Sequence, residues 1–483
     1  MKDNKNPTVC DLLSGFLLSK HLQNRLIYDI VYNVYVCAGK GGSIMKKRII
    51  LSVLLCSLIL TGCTTMNMGN VENLLTPPDL SSEQTEIKEA LMETVGKNIK
   101  LKYPRLGDYR SAFLIADIDE EESEEAIVFY EKTGITDTDG RLRMAILDKK
   151  DDKWTAVYDN AGMGTDVERV RIENLGDEKF PTVLVGYSFA GNMGKVLTAY
   201  NYSKGTLTER LHESYMNLEI TDLDNNGEKE ISLLTADNKV RVCVIDKEGI
   251  RNFETDVESG TSGDYARVTN GKLRDGRNAL YVDTSYSDGM TATQIIYAQN
   301  GFVKNPVYAL QTDTSANTLV KTMRPTGYYS VDVDGDGVVE IPMPVIMTGY
   351  ENEDVASQLY LTEWYDFNPS NLSFEKKNTG YYSITDGYCF MMPSRWTGSV
   401  TVKRDIAKNE IVFYKYSGDI TDDSVELMRI SVVNKSGAEE KMNEGFIKIK
   451  ETVQVEYLVK ISDNKSEPLV PTESEVTYNF RLV

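Results

Sequence analysis

Histidine is almost missing from this chain. There are two in 483 residues and only His212 follows residue 62, which excludes a histidine-rich metal site or a His pair; a lone His is first of all a surface or packing residue. Positive charge is in deficit. The 53 Lys and Arg face 73 Asp and Glu, a formal charge of −20, and a surface of that sign does not suit nucleic acid, whose phosphates need basic patches. No catalytic signature stands out. Gly186-Tyr187-Ser188-Phe189-Ala190-Gly191 brings its second Gly one residue too late for a nucleophile elbow. Gly191-Asn192-Met193-Gly194-Lys195 lacks both the spacing and the following Ser or Thr of a phosphate loop. With this many carboxylates some acidic pair always looks suitable for hydrolysis, so an envelope hydrolase using paired carboxylates stays only an alternative.

The most ordered local signal lies inside the chain. Met45-Lys46-Lys47-Arg48 precedes the mostly apolar run Ile49–Leu60 and then Thr61-Gly62-Cys63, the three parts of a secretory signal peptide. The run has 12 residues, short of the roughly 20 needed to span a bilayer, so cleavage is expected. Leu60-Thr61-Gly62-Cys63 resembles the lipobox of bacterial lipoproteins. That resemblance implies removal of 45–62, acylation of Cys63, and a lipid-anchored protein facing outside the cytoplasm. Residues 1–44 make a poor targeting segment. Gly39-Lys40-Gly41-Gly42 can be encoded by a purine run resembling a ribosome-binding site just upstream of the Met45 codon, so 1–44 is expected to be a mis-assigned extension. A cellular peptide from residues 1–40 would revive it.

Starting at Cys63, 421 residues carry 45 basic and 70 acidic side chains, a formal charge of −25. That length suits two or three domains. Three cysteines remain, and Cys243 and Cys389 sit in alternating apolar runs, where two buried free thiols are expected rather than a disulfide. Residues 63–80 are polar and contain Pro77-Pro78, as a tether would. Ser81 or Ser82 caps an expected helix to about Lys97, with Ile87, Leu91 and Val95 on one face, so 81–105 is helix and linker.

After Pro104 short β-rich runs alternate with Asp, Asn and Gly turns. A weak repeat of about 50 residues emerges. Asp117-Ile118-Asp119-Glu120-Glu121 leads into the strand Ala126–Tyr130, Asp222-Leu223-Asp224-Asn225-Asn226-Gly227 into Ile231–Leu234, and Asp332-Val333-Asp334-Gly335-Asp336-Gly337 into Glu340 and Ile341. Arg171–Tyr187 and Arg267–Asp283 read as degenerate copies. The first unit contains runs near Phe113–Ile118, Ala126–Tyr130, Leu142–Leu147 and Trp154–Tyr158, four short strands of one propeller blade. Residues 106–380 resemble FG-GAP-type repeats, the calcium-loop blades of integrin α-chain propellers and their bacterial relatives, although neither the Phe-Gly nor the Gly-Ala-Pro element stands out. The expected fold is therefore mostly β: a propeller of about five to seven four-stranded blades, preceded by one helix and followed by a small α+β or β domain at 381–483. In that last part a helix is expected at Ala438–Lys448 and a strand at Val453–Ile461.

Oxygen ligands at alternate positions of a tight loop suit Ca²⁺. The candidate ligands are Asp332, Asp334, Asp336, the Val338 carbonyl and Glu340, and likewise Asp222, Asp224, Asn226, the Glu228 carbonyl and Glu230. An EF-hand would need Glu at loop position 12, where Met343, Leu233 and Val128 stand. In the first loop Glu122 takes the Gly position, so Asp117, Asp119, Glu121 and Glu125 are not expected to converge. In the fourth unit Lys272 and Arg274 would repel a cation. Good turn-forming is the competing reason for such residues. Expected partners are the membrane, through Cys63, and an unknown protein, peptide or glycan. The leading expectation is a non-catalytic binding module, with a structural or assembly lipoprotein as another alternative. Tyrosines clustered with Trp364 would favour glycan or peptide binding.

Overall fold

A computed structural model describes residues 80–483, except 122, 135–140, 177–179, 193, 259, 261–264, 310–321 and 424. The expected extension 1–44, the signal segment 45–62, Cys63 and the tether up to Asp79 lie outside the described residues. The first described element is the helix Ser82–Val95, which starts with the capping box expected of Ser81: its hydroxyl accepts from the Gln84 amide while the Gln84 side chain returns to Ser81. Ile87 and Leu91 are its buried positions.

Beyond the helix the described residues form six antiparallel sheets in sequence order. The first pairs both Ile99–Leu101 and Phe113–Ala116 with Glu125–Lys132, followed by Leu142–Lys150 and Lys153–Ala161. The second runs Asp166–Glu173, Thr182–Ser188, Lys195–Ser203, Thr206–Tyr215; the third Asn217–Thr221, Glu230–Thr235, Lys239–Asp246, Gly249–Asp256. The fourth has Tyr265–Lys272, Asn278–Ser285 and Met290–Gln299, with Phe302–Lys304 and Arg324–Pro325 sharing its outer edge. In the fifth, the first strand shrinks to a bridge between Val331 and Glu340 ahead of Ile341–Ile346, Tyr360–Asn368, Ser373–Ser383 and Tyr388–Met391. The C-terminal Phe480–Leu482 closes its far edge. The sixth orders Val400–Asp405, Glu410–Lys415, Glu426–Asn434, Val455–Ile461 and Ile447–Glu451.

Why these runs become sheets is visible in their burial. Glu125–Lys132, Thr182–Ser188, Glu230–Thr235 and Asn278–Ser285 are buried at nearly every position, so each reads as continuous apolar sequence because both its faces are covered. The outer strands Lys153–Ala161 and Gly249–Asp256 face solvent over much of their length. Five apolar clusters each span two consecutive sheets. Phe129 and Ile146 meet Val170 and Tyr187; Leu184 and Leu197 meet Ile231 and Leu233; Leu234 and Val242 meet Leu280 and Ile296. Tyr281 and Ile295 meet Ile341 and Phe367, and Tyr381 and Phe390 meet Val400 and Phe413. Each fully buried aliphatic or aromatic side chain contributes about 1.5–3 kcal/mol, so these stacks are the main source of cohesion. Close approach between units also fixes Gly271, where a Cβ would overlap the Val339 side chain.

The strand Ser373–Ser383 runs through residues 380 and 381, and Ser81–Val483 forms one compact unit. The helix expected to reach Lys448 ends at Asn443, because Gly445 at φ 94° breaks it and the alternation Ile447-Lys448-Ile449-Lys450 then makes an edge strand. Among the described residues no helix is long and apolar enough to cross a membrane.

A buried ion pair anchors the fourth sheet. Arg324 and Asp283 are both fully buried and 2.8 Å apart. The guanidinium also donates to the Thr322 and Tyr328 carbonyls, and Asp283 accepts from the Ser330 amide and Thr293 hydroxyl. Removing one partner strands the other charge, which costs about 3–5 kcal/mol. Urea unfolding of Asp283→Ala should show a loss of that size, and Asp283→Ala with Arg324→Met should lose less than the sum of the two single changes; additive losses would mean the pair is not coupled.

Candidate metal centres

Three acidic loops occupy the same place, in the turn that enters the apolar inner strand of the first, third and fifth units. Each leaves the first strand on an Asp, and the next residue turns into the core: Ile118, Leu223 and Val333 are at most 3% exposed. Burying that side chain buries its amide, which then needs an acceptor. Eight residues after the first Asp, a Glu supplies it. Glu125 accepts from Ile118 N at 3.0 Å, Glu230 from Leu223 N at 2.7 Å and Glu340 from Val333 N at 2.9 Å. The residue three after the first Asp has positive φ in every loop: Glu120, Asn225 and Gly335. The first Asp caps its own turn, Asp222 through the Asn226 and Gly227 amides and Asp332 through those of Gly335, Asp336 and Gly337.

Carboxylate oxygens converge in all three. Asp117, Asp119 and Glu125 bring oxygens within 4.8 Å of one another, as do Asp222, Asp224 and Glu230, and Asp332, Asp334 and Asp336. The first loop corrects the sequence reading, which expected no convergence there. The spacing of Asp, Asp and Glu is identical to that in the other two loops, Glu120 accepts the left-handed conformation, and Glu121 is outside the cluster; Glu122 lies outside the described residues. In the third unit the Asn226 side chain accepts from the Glu228 amide at 2.7 Å, and in the fifth Asp336 accepts from the Val338 amide at 2.9 Å. Burial pushes Glu125, Glu230 and Glu340 each up to about 7, against the ordinary 4.5, with neighbouring carboxylates adding to the rise.

The fifth-unit loop already contains a cation. The Lys377 ammonium lies 2.6 Å from Asp336, 2.8 Å from Glu340 and 3.2 Å from Asp334, and the Asn378 amide donates to Asp334 at 3.0 Å. No local sequence signal marks Lys377, which reaches the loop only through strand pairing. Lys272 and Arg274 of the fourth unit do not occupy a metal cage of their own. The Lys272 backbone bridges to Val338, and Arg274 pairs with Glu375 and, at 3.7 Å, with Asp366. The third-unit loop is tied to the fourth unit through Asn278, whose amide donates to the Asn225 side chain at 2.9 Å.

Other candidates are less suited to ligands. Trp364 is fully buried against Tyr382 and Cys389, so it supplies no stacking surface. Cys243 and Cys389 are free and buried, and burial pushes both thiols up to about 12. His212 is an exposed residue of an outer strand. A cleft of about 270 Å³ is lined by Lys102, Glu131, Arg141 and Asp166 among others, but its charges pair with each other: Lys102 with Glu131 and Asp166, Arg141 with Glu131.

No protein-family model and no curated protein matches the chain. Among solved structures it is similar to Sqt1 of Chaetomium thermophilum, at 14% identity and a TM-score of 0.30 over 74% of this chain and 96% of that one. A rhamnogalacturonan lyase of Bacillus licheniformis gives 13% identity and 0.25 over 66% and 61%, and Sqt1 of Saccharomyces cerevisiae 8% and 0.28 over 71% and 85%. Overlaps this slight carry no equivalence of site or activity.

The raised carboxyls make a pH prediction. A Glu that holds its proton to about 7 when folded but to 4.5 when unfolded stabilises the fold at low pH. That contribution is complete below about 4.5 and is lost as pH rises through about 7. In metal-free protein the urea midpoint should therefore fall between pH 5 and pH 8, and Glu230→Gln should flatten the fall. An unchanged slope in Glu230→Gln would contradict the assignment.

Proposed function

We propose that this chain is a lipid-anchored protein of the extracytoplasmic face, whose propeller-type body is a non-catalytic binding module for a protein, peptide or glycan and whose acidic loops are stabilised by calcium. The observation that carries the reading is the series of four- and five-stranded antiparallel sheets, each sharing an apolar cluster with the next in chain order. Such a stack holds its connecting loops on a rigid scaffold, where recognition surfaces are usually built. The Leu60–Cys63 motif supports the anchor, and 64–80 is long enough to lift the body off a lipid surface.

Calcium suits the donors, which are hard oxygens on tight loops. In the third unit these are Asp222, Asp224, Asn226, Glu230 and the Glu228 carbonyl; in the first, Asp117, Asp119 and Glu125. A divalent ion there neutralises a buried Glu and fixes the turn between two core strands, a rigidifying role. The hydrolase reading has less behind it, because Glu125, Glu230 and Glu340 are at most 2% exposed and each is engaged by an amide of its own loop. A structural or assembly role would use the same scaffold.

Two measurements on the full chain expressed in a bacterial host test the reading. Labelled palmitate should appear in wild type and be absent from Cys63→Ser, which should also leave the membrane fraction; label retained in the variant would contradict the anchor. Calcium should raise the melting temperature of wild type relative to chelator, with a smaller rise in Asp224→Ala and Asp119→Ala. A melting temperature indifferent to calcium would mean the loops are turns only.

A further inference from the structure

The cation in the fifth-unit loop is delivered by a specific backbone device. In that sheet Trp364 pairs with Asn378 and Tyr365 with Lys376, so Lys377 is the extra residue of a β-bulge in the outer strand. Adjacent strand residues normally point to opposite faces, but a bulge re-aims them, and here Lys377 and Asn378 both reach the acidic loop. The same bulge recurs at the same register in two other units. In the first, Ile146 pairs with Tyr158 and Leu147 with Ala156, making Val157 the extra residue. In the second, Ala199 pairs with Leu211 and Tyr200 with Glu209, making Arg210 the extra residue. In all three the register slips opposite the first and second residues after Glu125, Thr182 or Glu340. The third unit, which has an acidic loop, has no bulge between its last two strands.

We propose that Lys377 is a tethered cation that closes the fifth-unit loop in place of a metal ion, and that the bulge residue decides which acidic loops take a divalent cation. In the fifth unit the ammonium lies among Asp334, Asp336 and Glu340, the last of them fully buried. A metal entering there must displace a covalently held competitor. In the first unit an uncharged Val157 occupies the bulge, and in the third no bulge is formed, so neither loop has a cation supplied by this position. The loop that best fits a calcium consensus in sequence is therefore the one that excludes calcium. This rests on the metal reading of the first and third units only for its comparison; closure by Lys377 stands without it.

The test is calcium stoichiometry by native mass spectrometry, together with melting in chelator, for wild type, Lys377→Met, Lys377→Arg and Val157→Lys in the full chain. Lys377→Met should melt lower than wild type in chelator, bind one more calcium equivalent, and recover its melting temperature when calcium is added. Lys377→Arg, which keeps the charge, should behave as wild type. Val157→Lys should bind one calcium fewer. The proposal is overturned if Lys377→Met melts as wild type does in chelator, or if it is destabilised and neither gains an equivalent nor is rescued. If wild type binds no calcium while Lys377→Met binds one, the Lys377 assignment stands and the metal reading of the other two loops fails.

Discussion

The inner strands Glu125–Lys132, Thr182–Ser188, Glu230–Thr235 and Asn278–Ser285 are apolar on both faces, and the rest of the structure depends on covering both. A strand such as Ala126-Ile127-Val128-Phe129-Tyr130 has no polar side to present to water. Its sheet can be stable only between two other layers. The second sheet covers one face of the first through Val170 and Tyr187, and the third, fourth, fifth and sixth follow in turn. The helix Ser82–Val95, with Ile87 and Leu91 buried, is the element that precedes this series. Hydrophobic burial sets the order of the layers. The acidic loops are consequences of it, because an apolar residue pulled into the stack from each turn takes its amide along.

That consequence explains why a buried Glu recurs eight residues after an Asp. The amide of Ile118, Leu223 or Val333 would cost free energy if unpaired, and a strand-start Glu satisfies it. The same Glu is then a buried carboxyl beside two or three others, which is an electrostatic problem with three solutions: a proton, a metal ion or an ammonium. The fifth unit uses the ammonium of Lys377. The first and third have no such side chain in that position, and burial, with the neighbouring carboxylates, pushes Glu125 and Glu230 up to about 7.

Much of this could be read in the sequence, and the reasons for the rest are physical. Strand positions followed from continuous apolar runs, and the Ser81 cap from its position ahead of an amphipathic stretch, because both are local. Acid spacing was legible too, yet the first loop was discounted for lacking a glycine at position 122, although it converges without needing one there. The 438–448 stretch combined helix-forming residues with Gly445, and tertiary pairing of Ile447–Glu451 at a sheet edge overrode propensity. Lys377 was not legible. Its role depends on a one-residue slip in pairing with a strand that follows the loop by about twenty residues, and nothing in local composition marks a bulge. Likewise Trp364 gave no sign in sequence of whether it would be exposed or, as it is, sealed beside Cys389.

The apolar stack carries the fold, and the charged loops depend on it. Native-state hydrogen exchange, resolved to individual strands and measured in calcium and in chelator, tests this most directly. Glu125–Lys132, Thr182–Ser188, Glu230–Thr235 and Asn278–Ser285 should be the slowest-exchanging segments, should open together, and should keep their protection in chelator while the first- and third-unit loops lose theirs. Loss of protection in those strands along with the loops would contradict the account.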